Sequence, residues 1–155
     1  MRIQFFRSSC GSLADKLFAW LTGAPLYSRV KIAFSNGEWF GLNLATGELE
    51  FEMNPYPCGW DYLELPCHEQ AVLRWCEENI ELKPRKGFWF TRWFRYRRVG
   101  IEVVARALSV AGFEKVPLDP TALALFIWVR EWNRDNPCPY SDNEIRRRNS
   151  EVIRW

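Results

Sequence analysis

Residues 27–40 read Tyr27-Ser28-Arg29-Val30-Lys31-Ile32-Ala33-Phe34-Ser35-Asn36-Gly37-Glu38-Trp39-Phe40. Val30, Ile32 and Phe34 recur at every second position, with Arg29 and Lys31 between them, the period of a strand with one buried face. Asn36-Gly37 is the strongest short hairpin signal, because a type I′ turn needs positive φ at both central residues. The stretch therefore predicts a strand over Tyr27–Phe34 and a return strand over Glu38–Leu44. Working outward, Thr46-Gly47 turns the chain again, and Leu49, Phe51 and Met53 alternate along a third strand. Pro55 and Pro57 break it, and Trp60–Leu65 supplies a fourth. The result is an antiparallel meander. Upstream, Met1–Phe6 reads as a further short strand with Ile3 and Phe5 facing one way.

The rest is helical punctuation. Ser12 has the form of an N-cap, with Asp15 three residues on. The helix it opens is expected to bury Leu13, Leu17, Phe18, Trp20 and Leu21, and to stop at Gly23 and Pro25. His68–Ile80 has helical spacing, with Val72, Leu73, Trp75, Cys76 and Ile80 apolar. A helix over Glu102–Leu108 is ended by Gly112, and Asp119-Pro120 reads as N-cap and first-turn proline of a last helix near Thr121–Trp132. The class is α+β: an antiparallel four- to five-stranded meander with helices packed against it. Residues 1–135 are expected to form one domain, and residues 136–155 a basic C-terminal arm.

A chain of 155 residues, 48% apolar, is long enough to fold without metal or disulfide. Its net charge of +2 is too small to imply nucleic acid or membrane. Five Cys without a CxxC pair, and a single His, argue against a zinc cage, and no cofactor is implied. No apolar run approaches the ~20 residues of a membrane span, and no signal peptide is visible, so a reducing compartment with free thiols is the expectation. Cys10 and Cys138 fall in polar surroundings, and Cys76 on a core face. Nine Trp exceed what one core needs, so some should face a partner.

Several segments resemble one family in the same order along the chain. Tyr27–Phe40 is similar to the "Y-S-H-V-E-hydrophobic-x-F-x-D-G" strand-turn-strand of permuted NlpC-like papain-fold proteins, which are cysteine amidohydrolases, peptidases or acyltransferases. Trp60-Asp61-Tyr62-Leu63-Glu64-Leu65-Pro66 is similar to their "W-D-x-L-x-L-P" strand. Gly100-Ile101-Glu102-Val103-Val104-Ala105-Arg106-Ala107-Leu108 resembles their "C-S-E-hydrophobic-V-x-x-A-L" nucleophile helix, and Leu118-Asp119-Pro120-Thr121-Ala122-Leu123 their "S-P-x-x-L" helix start. The likeness spans roughly residues 1–127 and implies a permuted papain-like fold. It places Arg29 where the family has its catalytic His and Gly100 where it has its Cys. Glycine carries no nucleophile, and a guanidinium cannot act as a base at neutral pH. Glu102 is retained but does not rebuild the mechanism. The resemblance therefore implies a non-catalytic relative.

The remaining candidates divide between function and packing. Cys67–His68 and Cys10 are the thiols that a relocated cysteine hydrolase would use; the plainer reading is a helix start and a loop. Residues 83–98 hold Lys83, Arg85, Lys86, Arg92, Arg95, Arg97 and Arg98 interleaved with rings including Trp89 and Trp93, and no acid. That composition suits a protein-partner surface or, alternatively, a backbone-tracking nucleic-acid site; it also suits solvated arginines over rings packed inward. Arg146, Arg147, Arg148 and the terminal Trp155 form either a solvated face or a docking arm. The function expected is a structural or interaction component, of a phage virion or tail where such relatives occur, cytoplasmic or virion-associated. The alternative is a binding module for an anionic cell-wall, acyl or nucleic-acid ligand through the former cleft, where Arg29 would hold a carboxylate or phosphate, and through the basic-aromatic stretch.

Overall fold

The computed structural model describes residues 1–23, 26–53, 58–65, 68–81, 89–117 and 121–136. Five strands, β1 (Arg2–Arg7), β2 (Tyr27–Ala33), β3 (Glu38–Leu42), β4 (Leu49–Met53) and β5 (Trp60–Glu64), form one antiparallel sheet in the order β4-β3-β2-β1-β5. Among the described residues four α-helices accompany it: α1 (Leu13–Leu21), α2 (Glu69–Glu78), α3 (Trp89–Val110) and α4 (Ala122–Asp135). The fold is α+β. The meander runs from β1 to β4, but β5 does not continue it. It crosses to the far side of β1, pairing Ile3 with Leu63 and Phe5 with Asp61.

The alternation read from the sequence sets the layers. Ile3, Phe5, Val30, Ile32 and Phe40 point to one face and are at most 3% exposed. There α3 lies across β2 and β3, α4 across β2 and β5, and α2 against α3. Val72, Val104, Leu108, Leu125 and Val129 are fully buried from the helix side. On the opposite face Phe6 packs against Trp60, and Trp60 meets Trp39 edge-on.

Local signals explain the element ends. The Ser12 hydroxyl accepts from the Asp15 amide while the Asp15 carboxylate accepts from the Ser12 amide, a complete capping box. The last helix is capped two residues later than the sequence suggests: the Thr121 hydroxyl accepts from the Ala124 amide, and Asp119 and Pro120 lie outside the described residues. At the turn between β3 and β4, Gly47 has φ +76°. A Cβ there would stand 2.4 Å from the Tyr96 ring, so both the turn and the helix above it require glycine.

Two expectations are corrected. The helix predicted over Glu102–Leu108 begins at Trp89 and runs unbroken through Gly100, so residues 89–98 of the basic-aromatic stretch are helical. Arginine and large apolar residues are acceptable helix formers, and tertiary contact to β2 and β3 outweighs one interior glycine. And α1 does not bury the stripe assigned to it. Phe18, Ala19 and Asp15 face inward, whereas Leu13, Leu17, Trp20 and Leu21 face solvent.

Candidate functional site

The polar centre of the molecule is built where α1 meets β2. The β1–β2 register slips after Phe6↔Arg29, and Arg7 pairs with Tyr27, leaving Ser28 as an extra residue. Successive strand residues normally point to opposite faces; a bulge suspends that rule. Ser28 and Arg29 consequently both reach Asp15. Its carboxylate, 0% exposed, accepts from Ser28 Oγ (3.1 Å), Arg29 Nε (2.9 Å) and Arg29 Nη2 (2.8 Å). It also accepts from the Ser12 amide (3.0 Å) and hydroxyl (2.7 Å). At Gly11 even a Cβ would fall 2.6 Å from the Asp15 side chain. A buried charge is tolerable only with this degree of pairing.

Arg29, the residue at the family's His position, is thus held on its Nε–Nη2 edge by Asp15 and over its face by the Phe6 ring, 4.4 Å away. The edge that side-on anion recognition would use is already taken. Gly100, at the family's Cys position, lies in the middle of α3. Helix-interior amides are spent on i→i−4 bonds, so the orphan N–H groups that stabilise a thiolate at a helix start do not occur there.

Arg29 and Gly100 nonetheless line one cleft of about 350 Å³, together with Val30, Lys31, Leu42, Glu52 and Tyr96. It lies where the ladder between β2 and β3 ends. Their ladder holds Ala33↔Trp39 and Ile32↔Phe40 and goes no further, whereas β1 and β2 pair along their whole length. Lys31 Nζ is bound to the Glu52 carboxylate at the rim. Both cations of the cleft are therefore balanced by acids of the chain.

His68 caps α2 with φ 60° and meets the Phe113 ring edge-on at 5.1 Å; Cys67 lies outside the described residues. Cys10 and Cys58 are exposed, and Cys10 Sγ sits 3.9 Å from the Ser9 hydroxyl. Burial pushes the Cys76 thiol up to about 12, which keeps it protonated at neutral pH. Among the described residues no group of three or more His, Cys, Asp or Glu could hold a metal ion. Tyr27 packs between Phe5 and Phe126 and donates to Asp61; burial first, then that bond, raises its phenol to about 12.

Of the partner residues expected from the sequence, Arg98 is exposed and ion-paired to Glu102 at 2.8 Å, so the retained acid serves as the arginine's counter-charge one turn on. Trp89, Arg92, Trp93, Arg95 and Arg97 lie on the helical backbone of α3. Lys83, Arg85, Lys86, Arg146, Arg147, Arg148 and Trp155 lie outside the described residues.

The surface that sequence reasoning missed is the outer face of α1. Leu13 (84% exposed), Leu17, Trp20 (71%) and Leu21 follow the i, i+4, i+7, i+8 spacing of one helix face, and Leu26 beyond the helix is also exposed. Only Lys16 breaks the apolar run on that side. The surplus of tryptophan was the available signal, and Trp20 is where it comes to the surface. Among the described residues no helix is long and apolar enough to cross a membrane. Comparison of the chain with protein-family models, with curated proteins and with solved structures finds no match.

Proposed function

We propose that this chain is a non-catalytic, papain-like interaction component that docks a protein partner through the outer face of α1. The single observation that carries the reading is the stripe Leu13, Leu17, Trp20 and Leu21, all large, apolar and exposed on one face. Scattered exposed leucines are ordinary; a contiguous helical stripe that includes Trp marks an interaction surface. The resemblance supports the non-catalytic part, because the positions of nucleophile and base are a helix-interior glycine and an arginine bound to Asp15. It also supports a large assembly, a phage virion or tail, as the setting.

The test is sedimentation of the protein from its native source, with Leu17→Glu/Trp20→Glu beside the natural chain. The natural chain is expected to travel with a larger particle and the double variant to stay light while keeping its circular dichroism. A natural chain that sediments as a light monomer would reject the docking role. Hydrolysis of an amide or ester substrate, lost when a Cys is replaced, would reject the non-catalytic one.

A further inference from the structure

The corner where β1 meets β5 carries two thiols that the α1 docking face does not use. Arg7 fixes this corner. Its amide donates to the Gly59 carbonyl at 2.8 Å, and its guanidinium Nε donates to Asp61 Oδ2 at 2.8 Å. Past Arg7 the chain enters the 3-10 turn Ser8–Cys10, closed by the Gly11 amide donating to the Ser8 carbonyl. That turn folds Cys10 back over Gly59, which takes φ +83°. A Cβ built on Gly59 would stand 2.9 Å from Cys10 Cβ and 3.6 Å from Cys10 Sγ. The residue bonded to Gly59 on its N-terminal side is Cys58, and consecutive Cα atoms are ~3.8 Å apart. A disulfide asks for Cα atoms within ~7 Å of each other, a separation that a residue one step from a 2.9 Å contact can meet. Cys10 and Cys58 are both free and both exposed, whereas the other thiol among the described residues, Cys76, is buried.

We infer that Cys10 and Cys58 form a reversible oxidation site, a dithiol that small disulfides of the glutathione class convert to a Cys10–Cys58 disulfide. Exposure lets a small disulfide reach either sulfur. One thiol, as thiolate, attacks a sulfur of the small disulfide; that S–S bond breaks, a mixed disulfide forms and one glutathione thiol leaves. The second thiolate attacks the protein sulfur of the mixed disulfide, which forms the Cys10–Cys58 bond and releases the second glutathione thiol. Two electrons pass from the protein to the small disulfide, and the two protons of the protein thiols end on the released thiols. Reduced glutathione reverses the sequence. The closed bond fastens the turn that leads into α1 to the edge strand β5. The site rests on this corner alone and stands or falls independently of the docking role.

The full chain is equilibrated with mixtures of oxidised and reduced glutathione, quenched with an alkylating agent, and followed by intact mass and by peptide mapping with proteases that separate Cys58 from Cys67. The natural chain is expected to stay monomeric, to lose two hydrogens and to yield a peptide linking Cys10 to Cys58. An effective concentration in the mM range, as for groups joined by short linkers, puts the intramolecular disulfide about tenfold above the mixed disulfide at ~0.1 mM reduced glutathione. Cys10→Ser and Cys58→Ser are each expected to stop at the mixed disulfide, gaining a glutathionyl group, while Cys67→Ser and Cys138→Ser oxidise as the natural chain does. Thiols that stay reduced in oxidised glutathione, a natural chain that stops at the mixed disulfide, a linkage to any other cysteine, or a disulfide-bonded dimer would each overturn the proposal. The peptide map uses the natural chain and stands even where a substitution impairs folding.

Discussion

Helices α1 and α4 begin alike and end differently. Each is capped by a hydroxyl that accepts from the amide three residues on, Ser12 from Asp15 and Thr121 from Ala124. Each is amphipathic. Yet α4 turns Ala122, Leu125, Trp128 and Val129 inward, with Trp128 at most 8% exposed, whereas α1 turns its richest apolar stripe to solvent and is anchored through Asp15. One helix is held mainly by apolar burial, the other by a buried ion pair assisted by Phe18. An anchor that is polar and local frees the opposite face of α1 to be apolar without being consumed by the core.

The largest expected effect separates the two anchors. Asp15→Ala leaves Arg29 and two hydroxyls without their acceptor and is expected to destabilise the protein by about 3–5 kcal/mol, the cost of breaking a buried pair. The double change Asp15→Leu/Arg29→Met, which removes both charges, should recover most of that loss. If the double variant is no more stable than the single one in urea unfolding, the ion pair is not what holds α1. Leu125→Ala on the apolar helix is expected to cost about 2–5 kcal/mol, and no second substitution of charge type should rescue it. The caps come next. Ser12→Ala and Thr121→Ala each fall within ~0.5–2 kcal/mol, and Ser12→Ala should be the costlier because its hydroxyl also donates to the Asp15 carboxylate. Equal losses would mean that the hydroxyl acts only as a cap. Smallest of all, Leu17→Gln and Trp20→Gln should change stability by less than about 0.5 kcal/mol, as for other exposed positions, while reducing the binding of a hydrophobic dye.

A pH series sharpens the same contrast from the α4 side, where Phe126 covers Tyr27. The folded phenol is raised from 10.0 to about 12, so the folded state retains a proton that the unfolded state has lost. That contribution is complete below pH ~10 and disappears as pH rises through about 12. Absorbance titration should place one tyrosine well above the others, and Phe126→Ala should bring it down.

The hairpin at Asn36-Gly37, the cap at Ser12 and the five strands were legible because each is a local signal with a local cause, although only Gly37 takes positive φ (+90°), so the turn is not the type I′ that the Asn-Gly pair suggests. The inward face of α1 was not. Helical spacing shows that Leu13, Leu17, Trp20 and Leu21 share a side, but the direction of that side is set by the Asp15–Arg29 pair, a contact between helix and strand made through a bulge at Ser28. The helix expected from Glu102 starts instead at Trp89 and passes through Gly100. The smallness of Gly100 serves close packing, since a Cβ would stand 3.3 Å from Leu42 Cβ. The early end of the β2–β3 ladder left no mark at all. The same alternation of Val30, Ile32 and Phe34 would serve a ladder that closes and one that stops after two pairs.

The unbroken α3 also gives the molecule a mechanical property. Its 22 residues form a rod of about 33 Å at ~1.5 Å per residue. The Tyr96 ring rests on the Gly47 turn like a bar on a fulcrum, with Trp89 near one end and Gly100, at the floor of the cleft, just beyond the pivot. Because α3 packs on both β2 and β3, a load applied to this stiff element would be shared between the two strands and the turn beneath it.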